Sequence, residues 1–231
     1  MANRAYLGPR LGRRQPPRAQ SRPMITPSMV AGLTMWLRAD LGYNAGAKTW
    51  TCQASGKVFT SAGAPTQKTE ASLNGQTVIE FAAGGADTFV LGSNFGAIAL
   101  PYCWLGVFRI ISGASQYNLC YATNNFAQFM ATPTTTQVYI RSISESVASS
   151  VASDLGTTPH VMTIGSGADT ARLDGTALTN TALTNSMALL SPETNVGYSV
   201  NSGQIAEVIL ARTDTLTSLA PYIKSRYGLT L

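Results

Sequence analysis

The sequence predicts an all-β fold, and three observations carry that prediction. Charged residues make up only 12% of the chain while glycine alone contributes 21 positions. With Ser, Thr, Ala and Asn plentiful, that composition suits short strands, many turns and a near-neutral surface. Short apolar or alternating stretches recur at meander spacing, separated by turn residues, about twelve in all. One of them, CWLGVFRII at 103–111, is almost continuously apolar, as a strand covered on both faces must be. At 231 residues the chain can bury a full core.

The strands follow in order. A short helical turn is expected at Ser28–Gly32, then a strand in which Leu33, Met35 and Leu37 alternate with Trp36 on the other face. NGQTVIEF (74–81) reads as a turn and a strand, and DTFVLG (87–92) as another. YNLCYA, FAQFMA and TQVYIRSI continue the meander. HVMTIGSG, TARLDGTAL, TNVGYSV and GQIAEVILAR complete it. SISESVASSVASDLG (142–156) permits a helical turn through Val147 and Val151, but its Ser and Val content favours an extended segment. TALTNTALTN (176–185) is a tandem pentapeptide; two copies are too few for a solenoid, so it reads as a local duplication in a hairpin.

A helix is expected after the strand at 203–212. Thr217 or Ser218 is the candidate N-cap, and Pro221 is compatible only with the first turn. Leu216, Leu219, Ile223 and Tyr227 form one apolar stripe. Lys224 and Arg226 suit the negative end of the helix dipole, and Gly228 suits the left-handed position that stops the helix.

The charge is unevenly spread. The net +5 combines a first 30 residues with six arginines and no acid, and a remainder with ten basic and eleven acidic side chains. Five of the eleven prolines, Pro9, Pro16, Pro17, Pro23 and Pro27, also lie at this end. Residues 1–28 therefore read as an extended basic arm, since proline biases itself and its predecessor to extended geometry. Residues 29–231 read as the folded domain. The arm's candidate partner-binding residues are Arg4, Arg10, Arg13, Arg14, Arg18 and Arg22, with Tyr6, Leu7 and Leu11 as apolar anchors.

Several function classes are disfavoured. No run of about 18 apolar residues is present, so no transmembrane helix is expected, and the basic start lacks the apolar core of a secretory signal. Cys52, Cys103 and Cys120 form no CxxC pair, and His160 is the only histidine, so no metal centre or cofactor is expected. Cys103 and Cys120 read as buried thiols of a protein made in a reducing cytoplasm, with a disulfide between them as the alternative. No GxSxG motif and no ExDxxE spacing occurs, so no catalytic residues are assigned and a non-enzyme is expected. Asp169 and Asp174 read as turn residues. Trp36, Trp50 and Trp104 sit in or beside strand patterns and suit the core; Trp50, with polar neighbours, is the candidate for stacking on a sugar ring.

The strand IAEVIL followed by a helix ending YIKSRYGL resembles the terminal signature of concanavalin A-like, or laminin-G-like, jelly-roll domains found in many phage and bacterial surface proteins. Gly203, Ile205, Ala206, Glu207, Arg212, Leu216, Thr217, Tyr222, Ile223, Arg226, Tyr227 and Gly228 carry that likeness. LTMWLRADLG resembles the family's first strand, NGQTVIEF with DTFVLG a further segment, and ARLDGTAL its hairpin; together they span about residues 30–231. The resemblance implies two antiparallel sheets packed face to face, with Leu37, Phe81, Leu105, Val107, Ile164, Ile205 and Val208 in the core and the helix packed on the sandwich. It also implies that Asp40 and Glu207 are hydrogen-bond anchors. WTCQASG (50–56) and FAAGG (81–85) lack acids usual in the family, so no calcium site is expected.

The combined expectation is a non-enzymatic virion structural protein of a tailed bacteriophage, assembled in the bacterial host cytoplasm. Its jelly roll would act as a capsid decoration or fibre-type protein. Its arm would tie it to the major capsid protein or to neighbouring copies in a homo-oligomer. The alternative is a receptor- or carbohydrate-binding module of a tail fibre or bacterial surface protein, with a host-surface glycan as partner. Nucleic acid is disfavoured, because six arginines without aromatic interleaving give only a generic electrostatic signal.

Overall fold

The computed structural model describes residues 23–82, 87–92, 98, 100–112, 117–122, 128–132, 137–141, 146–150, 155, 158–166, 171–178, 194–196, 202–213 and 215–231. The first 22 residues, and with them every candidate partner-binding residue of the arm, lie outside this set, as do Asp169 and the repeat beyond residue 178.

Seventeen strands are present among the described residues. They are β1 (Leu33–Arg38), β2 (Tyr43–Asn44), β3 (Thr49–Thr51), β4 (Val58–Ser61), β5 (Thr66–Glu70), β6 (Gln76–Phe81), β7 (Phe89–Leu91), β8 (Cys103–Ser112) and β9 (Tyr117–Ala122). After them come β10 (Gln128–Thr132), β11 (Gln137–Arg141), β12 (Ser146–Ser150), β13 (Pro159–Gly165), β14 (Arg172–Leu173), β15 (Thr176–Ala177), β16 (Thr194–Val196) and β17 (Ser202–Ala211). All pairings are antiparallel and form two sheets. The eight-stranded sheet runs β15-β14-β13-β8-β17-β6-β5, with β1 also paired to β17. The nine-stranded sheet runs β12-β11-β10-β9-β16-β7-β4-β3-β2. The expected all-β sandwich with a short C-terminal helix, α1 (Ala220–Tyr227), is what the chain forms. The extended segment expected across 142–156 is a strand at β12.

Strand β17 organises the eight-stranded sheet. One edge pairs with β8 along nearly its whole length; the other pairs first with β6, through Gly203–Ile205, and then with β1, through Glu207–Ala211. A bulge between Ile205 and Glu207 inserts one residue relative to β8. It turns the Glu207 side chain to the face away from the nine-stranded sheet.

Two apolar layers result. Between the sheets lie Leu37, Trp50, Phe59, Phe81, Phe89, Trp104, Phe108, Ile164, Ile205 and Val208. On the outer face of the eight-stranded sheet a second layer joins Leu105, Val107, Val161, Ile209 and Ala211 to Leu216, Leu219, Ile223 and Tyr227 of the helical segment. The apolar run 103–111 is thus covered on both sides: Trp104, Phe108 and Ile110 face the other sheet, and Cys103, Leu105 and Val107 face the helix. This corrects the expectation that Leu105 and Val107 belong to the core between the sheets. A continuous apolar run carries no alternation from which to read parity. Leu33 likewise sits in the outer layer, because a bulge between Leu33 and Met35 breaks the alternation. All three cysteines are buried and none is in a disulfide. Cys103 belongs to the outer layer and Cys120 to the inner one, so the alternative disulfide does not form.

The helical segment starts differently from expectation. A 3-10 turn at Thr217–Leu219 leads into α1, and neither start has a side-chain cap. Instead Thr215 Oγ1 accepts from the Thr217 N–H at 3.1 Å. Pro221, near the start of α1, has no N–H to satisfy. The stop is as expected: Gly228 has φ 75°, and its N–H donates to the Lys224 carbonyl at 3.0 Å. The turn at the other end of the body is a single 3-10 turn, Pro27–Met29.

The outer layer makes the helix part of the cooperative unit. Ile223, with no exposed surface, fills it, so Ile223→Ala should cost about 2–5 kcal/mol of unfolding free energy, measured by chemical denaturation followed by tryptophan fluorescence. A loss below about 0.5 kcal/mol, the scale of a surface substitution, would mean the helix is not packed as described.

Candidate functional site

The most concentrated polar chemistry among the described residues lies under α1. Glu207 has no exposed surface. Its carboxylate accepts from Trp36 Nε1 at 2.5 Å, from the Tyr222 hydroxyl at 3.0 and 3.1 Å to its two oxygens, and from the Tyr227 hydroxyl at 2.8 Å. Trp36 comes from β1, and both tyrosines come from α1. They meet Glu207 because Arg38 lies directly opposite it in the β1–β17 register, with Trp36 opposite Ile209 on the same face.

Burial pushes the Glu207 carboxyl above its ordinary range; hydrogen bonds from Trp36, Tyr227 and Tyr222, and the charge of Arg38, work against that without overcoming it. Burial and the nearby Glu207 charge hold both tyrosine hydroxyls well above their usual range, so they remain donors.

Asp40 forms a second junction a few residues on. It accepts from Arg38 Nε at 2.7 Å and from Arg226 Nη2 at 2.7 Å. Burial opposes its ionisation, but the hydrogen bond and charge of Arg226, and then of Arg38, outweigh it and hold the carboxyl below its usual range. The two guanidiniums also lie over aromatic rings, Arg38 over Trp36 at 5.5 Å and Arg226 over Tyr227 at 5.4 Å. The anchoring roles expected for Asp40 and Glu207 agree with this geometry. What the sequence did not show is that Trp36, Asp40, Glu207, Tyr222, Arg226 and Tyr227 form one cluster.

The other described carboxylates are also tied to protein donors. Glu70 pairs with Arg109 at 2.7 Å and Glu80 with Lys68. Asp87 accepts from the backbone N–H groups of Ala64 and Ala82. Asp174, in the β14–β15 turn, accepts from the Val161 N–H at 2.9 Å and pairs with His160 Nδ1 at 2.6 Å. His160 Nε2 contacts the Leu155 carbonyl. Burial lowers the His160 pKa, but the bond to Asp174, its charge and the Leu155 carbonyl raise it further, for a net upward shift. His160 is a buried structural histidine, held by Asp174 and the Leu155 carbonyl. Every described carboxylate thus has at least one donor within the protein. Among the described residues no group of three or more His, Cys, Asp or Glu side chains could hold a metal ion, and no helix is long and apolar enough to cross a membrane.

The sugar-stacking role expected for Trp50 is corrected. Trp50 has no exposed surface, donates from Nε1 to the Arg38 carbonyl at 3.1 Å, and packs edge-on against Phe89 at 5.5 Å. Its polar neighbours Thr49 and Thr51 are the outward positions of an alternating strand whose inward position is the tryptophan.

No family model matches the chain, and no curated protein matches its sequence. Solved structures do resemble it. The botulinum neurotoxin serotype G binding domain is similar with a TM-score of 0.58 at 8% identity, over 85% of this chain and 50% of that one. The binding domain of botulinum neurotoxin DC in complex with SialylT gives 0.55 at 8% identity, over 84% and 51%. The Trypanosoma rangeli sialidase in complex with 2,3-difluorosialic acid gives 0.55 at 9% identity, over 85% and 33%. This chain thus spans about half of each toxin domain and a third of the sialidase. Likeness at this identity establishes a shared β-sandwich fold.

The Glu207 cluster makes a stability prediction with a definite pH sign. Glu207→Ala leaves buried donors without an acceptor and should cost about 3 kcal/mol or more in denaturant unfolding at neutral pH. Because burial raises the folded-state pKa, the wild-type carboxyl favours the fold most when protonated. Its contribution is fully present below the ordinary value of 4.5 and declines as pH rises through the folded value. The stability difference between wild type and Glu207→Gln should therefore shift in favour of the glutamine variant as pH rises from 4. A difference independent of pH would contradict the buried, elevated carboxyl.

Proposed function

We propose that this chain is a non-enzymatic glycan-binding module, of the kind that attaches a larger particle or cell surface to its receptor. The observation that carries the reading is the sandwich itself: over 84% of its length it follows a toxin binding domain captured with SialylT. The commitment of the described carboxylates to internal donors supports binding rather than turnover. The experiment is a glycan array probed with the full chain, with and without added Ca²⁺. Reproducible, metal-independent binding to a restricted set of glycans, with no cleavage products by mass spectrometry, is the expected outcome. Absence of binding to any glycan at millimolar concentration would end this reading.

A second reading rests on a different observation, the segregation of six arginines and five prolines into the first 30 residues of an otherwise near-neutral chain. It is that of a virion structural protein of a tailed bacteriophage, whose arm lies extended over a neighbouring subunit. Prolines reduce the entropy lost on fixing such an arm, and guanidiniums pair bidentately with carboxylates. Deleting residues 2–23 should leave a folded body that no longer joins the particle, read by thermal unfolding and co-sedimentation. Full occupancy of the particle by the truncated protein would exclude this reading, and steep salt-dependent retardation of DNA by the full chain would replace it with nucleic-acid binding.

A further inference from the structure

We propose that His160 works as a pH-gated clasp that fastens the edge hairpin β14–β15 to the core at Leu155, closed while its ring carries two protons and opened by the loss of one. The clasp is independent of the glycan-binding reading and of the Glu207 cluster.

One protonation state satisfies the ring. Nδ1 lies 2.6 Å from Asp174 Oδ2, and Nε2 lies 2.5 Å from the Leu155 carbonyl oxygen. A neutral imidazole has a single N–H, so either tautomer would turn a lone pair onto one of these two oxygens. The imidazolium donates to both. Thr158 Oγ1, at 3.3 Å from Nε2, is a more distant neighbour and does not displace the carbonyl in front of that nitrogen. The Asp174 carboxylate is held in place by the Val161 N–H, which donates to Oδ1 at 2.9 Å. Among the described side chains, Asp174 is the charged group that faces the ring. From β8, Phe108 stands opposite His160, with the two rings 5.9 Å apart. Arg109, the next residue of β8, takes the other face of the sheet and pairs with Glu70. Arg172 of β14 lies opposite Thr163, on that other face too, and donates to the Gly175 carbonyl at 3.3 Å.

The two acceptors belong to different parts of the fold. Leu155 sits in the layer between the sheets with 1% exposure. Asp174 occupies the turn between β14 and β15, and β15 is an edge strand of the eight-stranded sheet. The next residue, Gly175, has φ 82° and lies against Thr230, so close that a Cβ there would stand 2.8 Å from Thr230 Cγ2. The clasp thus runs from the core to the edge hairpin and on to the last residues of the chain. Asp174 keeps 39% of its side chain exposed, which gives solvent a path to the shared proton. Loss of that proton to water leaves a lone pair against one of the two oxygens, and the bond on that side opens. Burial disfavours the charged ring, but the Asp174 bond and charge and the Leu155 carbonyl outweigh it, so opening falls above the ordinary 6.5. A raised folded-state value means that the clasp contributes fully below 6.5 and is lost as pH rises through the folded value.

His160 is the only histidine of the chain, so ¹⁵N NMR of the histidine-labelled full chain reports this ring alone. At pH 6.5 both ring nitrogens should be protonated, and the titration midpoint should lie above that value. The Leu155 carbonyl carbon and the Asp174 and Gly175 amides should shift with the same midpoint. Asp174→Asn keeps an oxygen for the Val161 N–H, tolerates the positive φ of 49°, and turns a donor toward Nδ1. It should lower the midpoint by about one pH unit or more. In denaturant unfolding, wild type should lose stability relative to His160→Gln as pH rises from 6 to 9. Both chains carry Glu207, so its own pH dependence cancels in that difference. A single neutral tautomer at pH 6.5 would overturn the proposal. So would a ring that titrates without moving Leu155 and Gly175, or one that keeps both protons until the chain unfolds. Should a variant fail to fold, the wild-type titration decides by itself.

Discussion

A carboxylate with no contact with water is tolerated only where donors replace its hydration, and the architecture of this protein follows from how Glu207 obtains them. One donor comes from β1 and two from α1. The same three bonds therefore clip the first strand to β17 and hold the helix over the sheet. With the helix in place, the outer layer closes and β8 and β17 can be apolar on both faces. Asp40 repeats the device nearer the surface, joining Arg38 of β1 to Arg226 of the helix. Aromatic donors suit the buried member: they bring apolar area and a single polar atom each. Guanidiniums suit the partly exposed one.

The sequence was most informative where burial dictates the pattern. CWLGVFRII had to be covered twice, and GQIAEVILAR had to be a strand. The order of apolar stripe, Pro221, basic last turn and Gly228 specified the helix and its stop. Reading failed where strands are short or exposed. β2 to β4 are only two to four residues long, too short to show alternation even though Trp50 and Phe59 within them are fully buried; β5, TQKTE, has no apolar alternation at all, being an exposed edge strand whose charges discourage pairing with another edge. Parity was lost at Leu105 and Val107 for the opposite reason, an apolar run with no polar member to mark the outward face.

The site was legible as residue types and illegible as a place. Trp36, Asp40, Glu207, Tyr222, Arg226 and Tyr227 all stand out in the sequence, yet nothing in their spacing says that they share one cluster. Trp50 shows how local reading misleads. Polar neighbours suggested exposure, whereas in a strand of period two they are what an inward-facing tryptophan must have. With the tryptophan inside, Thr49 and Thr51 take the outward face.

The contact between Trp36 and Glu207 spans 171 residues of chain, and it carries a consequence for synthesis. On a ribosome adding roughly 5–20 residues per second, β1 emerges many seconds before the strand and helix that complete its surroundings. Throughout that interval Met35 and Leu37 have no sheet to join on the β17 side, and closure waits on long loop-spanning contacts that are intrinsically slow to form. The nascent chain thus carries an unpaired apolar strand for most of its translation, and sparing use of charge elsewhere leaves few groups to keep such chains apart. Protection of that strand, by a chaperone or by transient pairing within the growing chain, is a requirement imposed by the topology itself.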